Sequence, residues 1–399
     1  MHPPRIKQGI FVLEGLNAVA TTFYFYYIYF FTAEVLGFTQ LENLLLAAAV
    51  GFVYMLCSVH GGRFAQRRGG FAALKRGFVI LATALLVGSQ VRSAALHVAL
   101  LAVATLGMSF TWPSLEALAS EGASPARLPH VVGLYNVVWA VAGAVAYFAA
   151  GPLIQVGGWT ALFLVPATLH LAQLALTLTL TRARPELLTT AGGGEPGLPP
   201  LHREPDARRS PVSPQTFLRM AWLANPFAYL ALNTVVAVSP NLAQTLNLSA
   251  REAGFYLSIW MFARAAAFVL FWFWTGWHYR FRWLAAAYGL LVAGLVGILL
   301  SSNLGLLIAL QLAFGLAVGL IYYSSLFYSM DVGETKGEHG GWHEAMIGAG
   351  CCAGPATGAA ALYFFPAHPH SSAWGVASLL LVGLAGLAHL RWKGSAGSR

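Results

Sequence analysis

Apolar positions along this chain come in long blocks rather than on one face of a short helix or in strand-like alternation. Each block holds about 20 mostly apolar residues, the length an α-helix needs to cross the hydrocarbon core of a bilayer. Twelve such blocks lie at 8–32, 40–60, 76–92, 95–119, 130–154, 158–181, 216–240, 252–277, 283–302, 304–330, 342–365 and 372–391. The breaks between them are short, with one exception. Residues 182–214 are rich in Pro, Gly and Arg, lack apolar periodicity and read as a linker. The pattern therefore predicts an all-α membrane protein with twelve transmembrane helices in two six-helix halves. Residues 1–181 form the N-terminal half, 182–214 the linker and 215–399 the C-terminal half.

Basic residues test this map, because cytoplasmic loops collect Lys and Arg. With the N-terminus in the cytoplasm, 20 of the 23 Lys and Arg fall in cytoplasmic segments. Only Arg92 and Arg251 fall outside, and Arg264 lies within a span. This split predicts an even number of spans, with both termini and the linker in the cytoplasm; the expected location is a bacterial-type inner membrane. Composition agrees: 58% of the chain is hydrophobic and 9% charged, against about 25% charged in soluble domains. The net charge of +9 then marks topology rather than a nucleic-acid partner. The N-terminal run from about Gln8 to Phe31 is too long for the apolar core of a signal peptide and contains Glu14 and Asn17, so it is expected to stay as the first span.

Cys57, Cys351 and Cys352 lie in apolar stretches without paired spacing, which argues against a disulfide framework or a metal site. No nucleotide-binding glycine motif follows a strand, and no catalytic triad or metal-binding helix pattern occurs. The expectation is a monomer without cofactors, not an enzyme, whose partners are the lipid bilayer, a small-molecule substrate and protons.

The loop after the second block reads GGRFAQRRGG. It resembles the signature loop of the major facilitator superfamily, G-x-x-x-D-R-x-G-R-[KR]. Gly62, Arg67 and Gly69 fit, and Gln66 stands where the family usually has Asp. The loop after the eighth block, GWHYRFRW, keeps only the glycine and basic residues. The fifth block has Gly133, Gly143, Gly151 and Pro152; the eleventh has Gly348, Gly350, Gly354, Pro355 and Gly358. These resemble the family's glycine-rich helices, where small residues allow close approach. A fuller version in span 5 is associated with antiporters in that family. The resemblance implies two pseudo-symmetric halves, a substrate site between them near the midplane, and gating by Gly62, Gln66, Arg67 and Gly69, with Glu116 near that loop. The Gln66 departure implies a weaker gate lock.

Ionisable groups inside spans are costly and call for a reason. On a helical wheel Glu14, Asn17, Thr21 and Tyr24 share one face of span 1. They suggest a proton- or substrate-binding carboxylate with hydrogen-bonding partners, or a structural pair. Arg264 sits mid-span, about 15 Å from either interface. It is expected either to hold an anionic substrate group or to pair with an acid such as Glu14. Glu116 shares a face with Ser109 and Trp112, next to Pro113. His343 and Glu344 open span 11 as candidate titrating groups, and His130 and His170 also fall in spans. Neutral candidates for the pocket are Asn136 and Trp139 in span 5, Asn225, Tyr229 and Asn233 along span 7, and Gln311 and Tyr322 in span 10. The FYFYYIYFF run from Phe23 to Phe31 resembles an interfacial aromatic belt more than a site. The function expected is proton-coupled transport of a small organic solute by alternating access, as an exporter or antiporter. The alternatives are a proton-independent facilitator or uptake permease, and a non-transporting membrane enzyme or scaffold.

Overall fold

The computed structural model of the chain describes residues 4–124, 127–183, 210, 212–332, 338–368 and 370–396. Most of the 182–214 linker predicted from sequence lies outside these residues. The N-terminal half consists of α1 (Pro4–Glu34), α2 (Gln40–Arg68), α3 (Gly70–Gly88), α4 (Ala94–Ser120), α5 (Leu128–Gly157) and α6 (Ala161–Ala183). The C-terminal half consists of α7 (Pro214–Ala237), α8 (Ser239–Thr245), α9 (Ala250–Leu257), α10 (Ile259–Phe273), α11 (Phe281–Leu300), α12 (Leu304–Val332), α13 (Glu338–Phe364) and α14 (Ser371–Ala396). Among the described residues 11 helical segments are long and apolar enough to cross a membrane, α9 and α10 together counting as one. The 31-residue α1 supplies the twelfth. Its Glu14, Asn17 and four tyrosines dilute its hydropathy.

Two spans of the C-terminal half are broken. Span 7 steps at Val238 into α8, which carries Pro240 in its first turn. Span 8 steps at Ser258 between α9 and α10. The two halves share a local signature that periodicity alone does not reveal. Thr39 with Glu42 at the start of α2, and Ser249 with Glu252 at the start of α9, both form complete capping boxes. Spans 2 and 8 are equivalent members of the two halves.

Helices α2 and α3 extend further than the apolar blocks at 40–60 and 76–92. α2 continues through Arg68, and Gly69 alone makes the turn into α3. Arg, Gln and Lys favour helix, and their charged ends reach water from beyond the apolar core. Gly69 has φ 90° and its N–H donates to the Ala65 carbonyl, a backbone conformation that a Cβ disfavours. Lys7 from α1 closes the neighbouring helix end. Its Nζ donates to the carbonyls of Leu118 (3.0 Å), Ala119 (2.8 Å) and Glu121 (2.6 Å) at the C-terminus of α4, where a cation complements the helix dipole.

The halves meet along two seams, α2 against α13 and α5 against α9 and α10. Spans 2 and 11 make one seam and spans 5 and 8 the other. Backbones touch on the first seam. A Cβ on Gly51 would lie 2.3 Å from the Cys352 nitrogen, and one on Gly348 would lie 2.5 Å from the Met55 nitrogen. Gly51→Leu is therefore expected to destabilise the closed seam by about 1–3 kcal/mol or more. The expected result is a lower melting temperature in detergent; an unchanged melting temperature would mean that α2 and α13 do not pack here.

Candidate functional site

On the side of the bundle that carries the α2–α3 turn, three carboxylates gather from three helices. Glu14 of α1 is fully buried, and neither of its oxygens has a hydrogen-bond partner among the described residues. The charges acting on it are those of Glu116 of α4 and Glu344 of α13, and the Tyr135 side chain of α5 faces it. Asn17, one turn further along α1, is also buried with both amide atoms unpartnered. The Thr21 hydroxyl turns back to the Asn17 carbonyl at 2.6 Å. Gln173 of α6 donates to the Leu13 carbonyl (3.0 Å) and lies 2.8 Å from Nδ1 of the buried His170.

Glu344 ties the acids to the seam. Its carboxylate accepts a 2.6 Å hydrogen bond from the Tyr54 hydroxyl of α2, both groups being buried. Next to it, His343 Nε2 has no hydrogen-bond partner among the described residues, and its ring lies 6.2 Å from that of Tyr322. Glu116 retains partial exposure. Three carboxylates in mutual electrostatic reach repel when ionised together, and Arg63, Arg67 and Arg68 of the Arg-rich turn are exposed. A hydrogen bond to a charged group contributes about 1.5–3 kcal/mol. Tyr54→Phe is thus expected to loosen the α2–α13 seam. Cysteines introduced beside it should react faster with water-soluble maleimides; unchanged labelling would show that this bond does not hold the seam.

Deeper in the bundle lies a cation without a carboxylate. Arg264 of α10 is 3% exposed. Its guanidinium carbon lies 4.5 Å from the Trp139 ring centre and 5.0 Å from that of Trp260. The Tyr26 side chain also faces it, and its charge reaches Tyr229 and Tyr322. Among the described residues Nε has no hydrogen-bond partner. Each cation–π contact contributes about 0.5–2 kcal/mol, while removing an ion from water costs several. The rings come from both halves: Tyr26 and Trp139 from the N-terminal one, Trp260, Tyr229 and Tyr322 from the C-terminal one. Trp139 Nε1 donates to Asn136 Oδ1 at 3.0 Å, which fixes the amide and leaves its Nδ2 unpartnered. Tyr322 connects the two groups, feeling Glu116 and Glu344 as well as Arg264.

The structure thus brings together Glu14, Asn17, Glu116 and Glu344, and separately Arg264, Trp139, Asn136, Tyr229 and Tyr322. It does not pair Glu14 with Arg264. Other sequence-selected residues have local roles. Tyr24 packs on Phe163 of α6, ring centres 5.8 Å apart. Asn233 donates to the Tyr229 carbonyl (3.0 Å) and to Cys351 Sγ (2.8 Å). Gln311 donates to the Tyr256 carbonyl (2.8 Å) beside the break in span 8. Asn225 is buried with Oδ1 unpartnered. Gly62 and Gln66 line a shallow hollow with Val59, Arg63, Gly341 and Trp342. Arg76 rather than Arg67 packs on Phe64 and Phe110, 5.2 Å from each ring centre. Tyr26, Tyr54, Tyr135 and Trp260 escaped sequence reasoning. Tyr26 lay within the apparent aromatic belt, and the others carry no charge to mark them.

Comparison with known proteins places this chain in a family. The family model described as Major Facilitator Superfamily matches residues 10–355. A sequence comparison with curated proteins finds no match. Among solved structures, the human organic anion transporter MFSD10 (TETRAN) is similar, with a TM-score of 0.66 and 15% identity, over 97% of this chain and 100% of that one. The nucleoside transporter NupG gives a TM-score of 0.66 and 13% identity, over 98% and 99%. A bacterial homolog of the human lysosomal transporter Spinster, inward-facing and unoccupied, gives 0.66 and 13%, over 100% and 98%. At these identities the likeness is one of fold.

Proposed function

The chain belongs to the major facilitator superfamily, and from that premise we propose that it moves a small organic solute across its membrane by alternating access coupled to protons. It acts as a monomer in a bacterial-type inner membrane, with the linker and both termini in the cytoplasm, a placement supported by the distribution of Lys and Arg. The observation that carries the coupling is Glu14: a buried carboxylate in a span that faces the Tyr135 side chain and two further acids. An ionised side chain at such depth costs about 2.5–3.5 kcal/mol on insertion scales, and proximity to Glu116 and Glu344 adds repulsion. A bound proton removes that charge without any counter-ion from the protein. Around Glu14 the facing groups are Tyr135 from α5, Glu116 from α4 and Glu344 from α13, with the His170–Gln173 pair on the α6 side. None of these is a fixed cation.

The cycle supported by this arrangement has two steps of access. Separation of the halves on one side admits solute to the ring-lined centre. Closure there and opening along the α2–α13 seam expose the acid cluster to the other side. The test uses purified protein in liposomes and the strongest ligand from a thermal-shift screen of metabolites and drugs. An imposed pH gradient is expected to drive net movement of that ligand, and a protonophore to abolish it. Movement indifferent to both would sink the proton-coupled reading.

A further inference from the structure

We propose that the aromatic cage around Arg264 seats an organic anion with a flat, unsaturated body: the acidic group engages the Arg264 guanidinium and the body lies against the indoles of Trp139 and Trp260. This rests on the transport reading above and narrows its substrate class. Arg264 carries a permanent charge in the middle of a span, and among the described residues no carboxylate forms an ion pair with it. The two indoles stabilise the charge without neutralising it. Arg264 packs over the Trp139 ring and Asn136 is bonded at that ring's Nε1, and among the described residues neither Arg264 Nε nor Asn136 Nδ2, both buried, has an acceptor. Two unused donors and one unpaired cation ask for an acceptor-rich anion. The two indole rings that pack on the guanidinium, with the rings of Tyr26, Tyr229 and Tyr322 near it, favour a planar apolar body over a sugar-like one.

The cage is assembled from both halves, so their separation opens it. A solute bound there bridges the halves, which an alternating-access cycle requires. Tyr322, whose ring packs on that of Trp139, is within electrostatic reach of both Arg264 and the acids. Ionised Glu116 and Glu344 therefore oppose an anion in the cage, and binding should strengthen at lower pH. By linkage, the anion and the proton then favour each other's binding.

The test is equilibrium binding of radiolabelled 1-naphthoate to purified protein in nanodiscs, with no gradient present, so that its outcome is independent of whether transport is proton-driven. Wild-type protein is expected to bind 1-naphthoate saturably, more tightly as pH falls. The neutral 1-naphthamide should compete at least tenfold more weakly. Arg264→Gln should lose at least tenfold in affinity, Arg264→Lys should retain part of it, and Trp139→Leu should weaken binding with the charge intact. Equal competition by naphthamide, affinity unchanged in Arg264→Gln, or no saturable naphthoate binding to wild type would overturn the proposal. The competition experiment needs no variant and so stands even if Arg264→Gln fails to fold.

Discussion

Glu14→Gln is expected to abolish pH-gradient-driven accumulation while leaving exchange of solute between the two membrane faces. Gln has the shape of the protonated carboxyl and cannot release a proton, so the variant resembles a carrier held permanently in its protonated form. Removal of a charge near Glu116 and Glu344 relieves repulsion, and the Gln amide can still meet the Tyr135 side chain that faces this position. The variant should therefore fold and melt at least as high as wild type. Exchange needs the halves to rock with solute bound, which a neutral side chain permits. Net coupled transport needs the empty carrier to return in a different protonation state, which Gln forbids. Counterflow and gradient-driven uptake, measured side by side in proteoliposomes, separate these outcomes. Accumulation at the wild-type level would move coupling away from Glu14, and loss of both activities would make its role structural.

The second large effect concerns the seam. A Cβ on Gly341 would lie 3.6 Å from the Val59 Cα, within reach of a disulfide between cysteines at these positions. With Cys57, Cys351 and Cys352 replaced, Val59→Cys combined with Gly341→Cys should cross-link under mild oxidation. Transport should fall to the background of empty liposomes and return on reduction. The bond would hold α2 against α13 and trap the bundle in the conformation described here. If the oxidised protein transports at the reduced rate, then this seam stays closed throughout the cycle and access must arise elsewhere.

Most of the architecture is legible in the sequence because it obeys one-dimensional rules. Block length sets the spans, and the twelve windows correspond to the described helices within a few residues, apart from the extensions flanking Gly69 and the steps at Val238 and Ser258. These exceptions depend on a backbone angle and on kinks that hydropathy does not encode. Arg264 and Glu14 stand out from sequence because a charge in a span is rare. Their surroundings do not, since a helical wheel orders residues on one helix without saying which neighbour each face meets. Tyr24 shares the Glu14 face by angle yet packs on α6, whereas Tyr26, two residues on, reaches Trp260 and Arg264. Glu116 was expected at the arginine-rich turn. The structure also brings it within electrostatic reach of Glu344, more than 200 residues away in the chain, which no local pattern signals.

Substrate-dependent proton movement tests the central claim most directly. Liposomes containing the purified protein and a trapped pH-sensitive dye receive the screened ligand with no gradient imposed. Ligand addition is expected to change the internal pH through wild-type protein and to leave it unchanged through Glu14→Gln. Ligand crossing the wild-type protein with no accompanying change in internal pH would contradict the account.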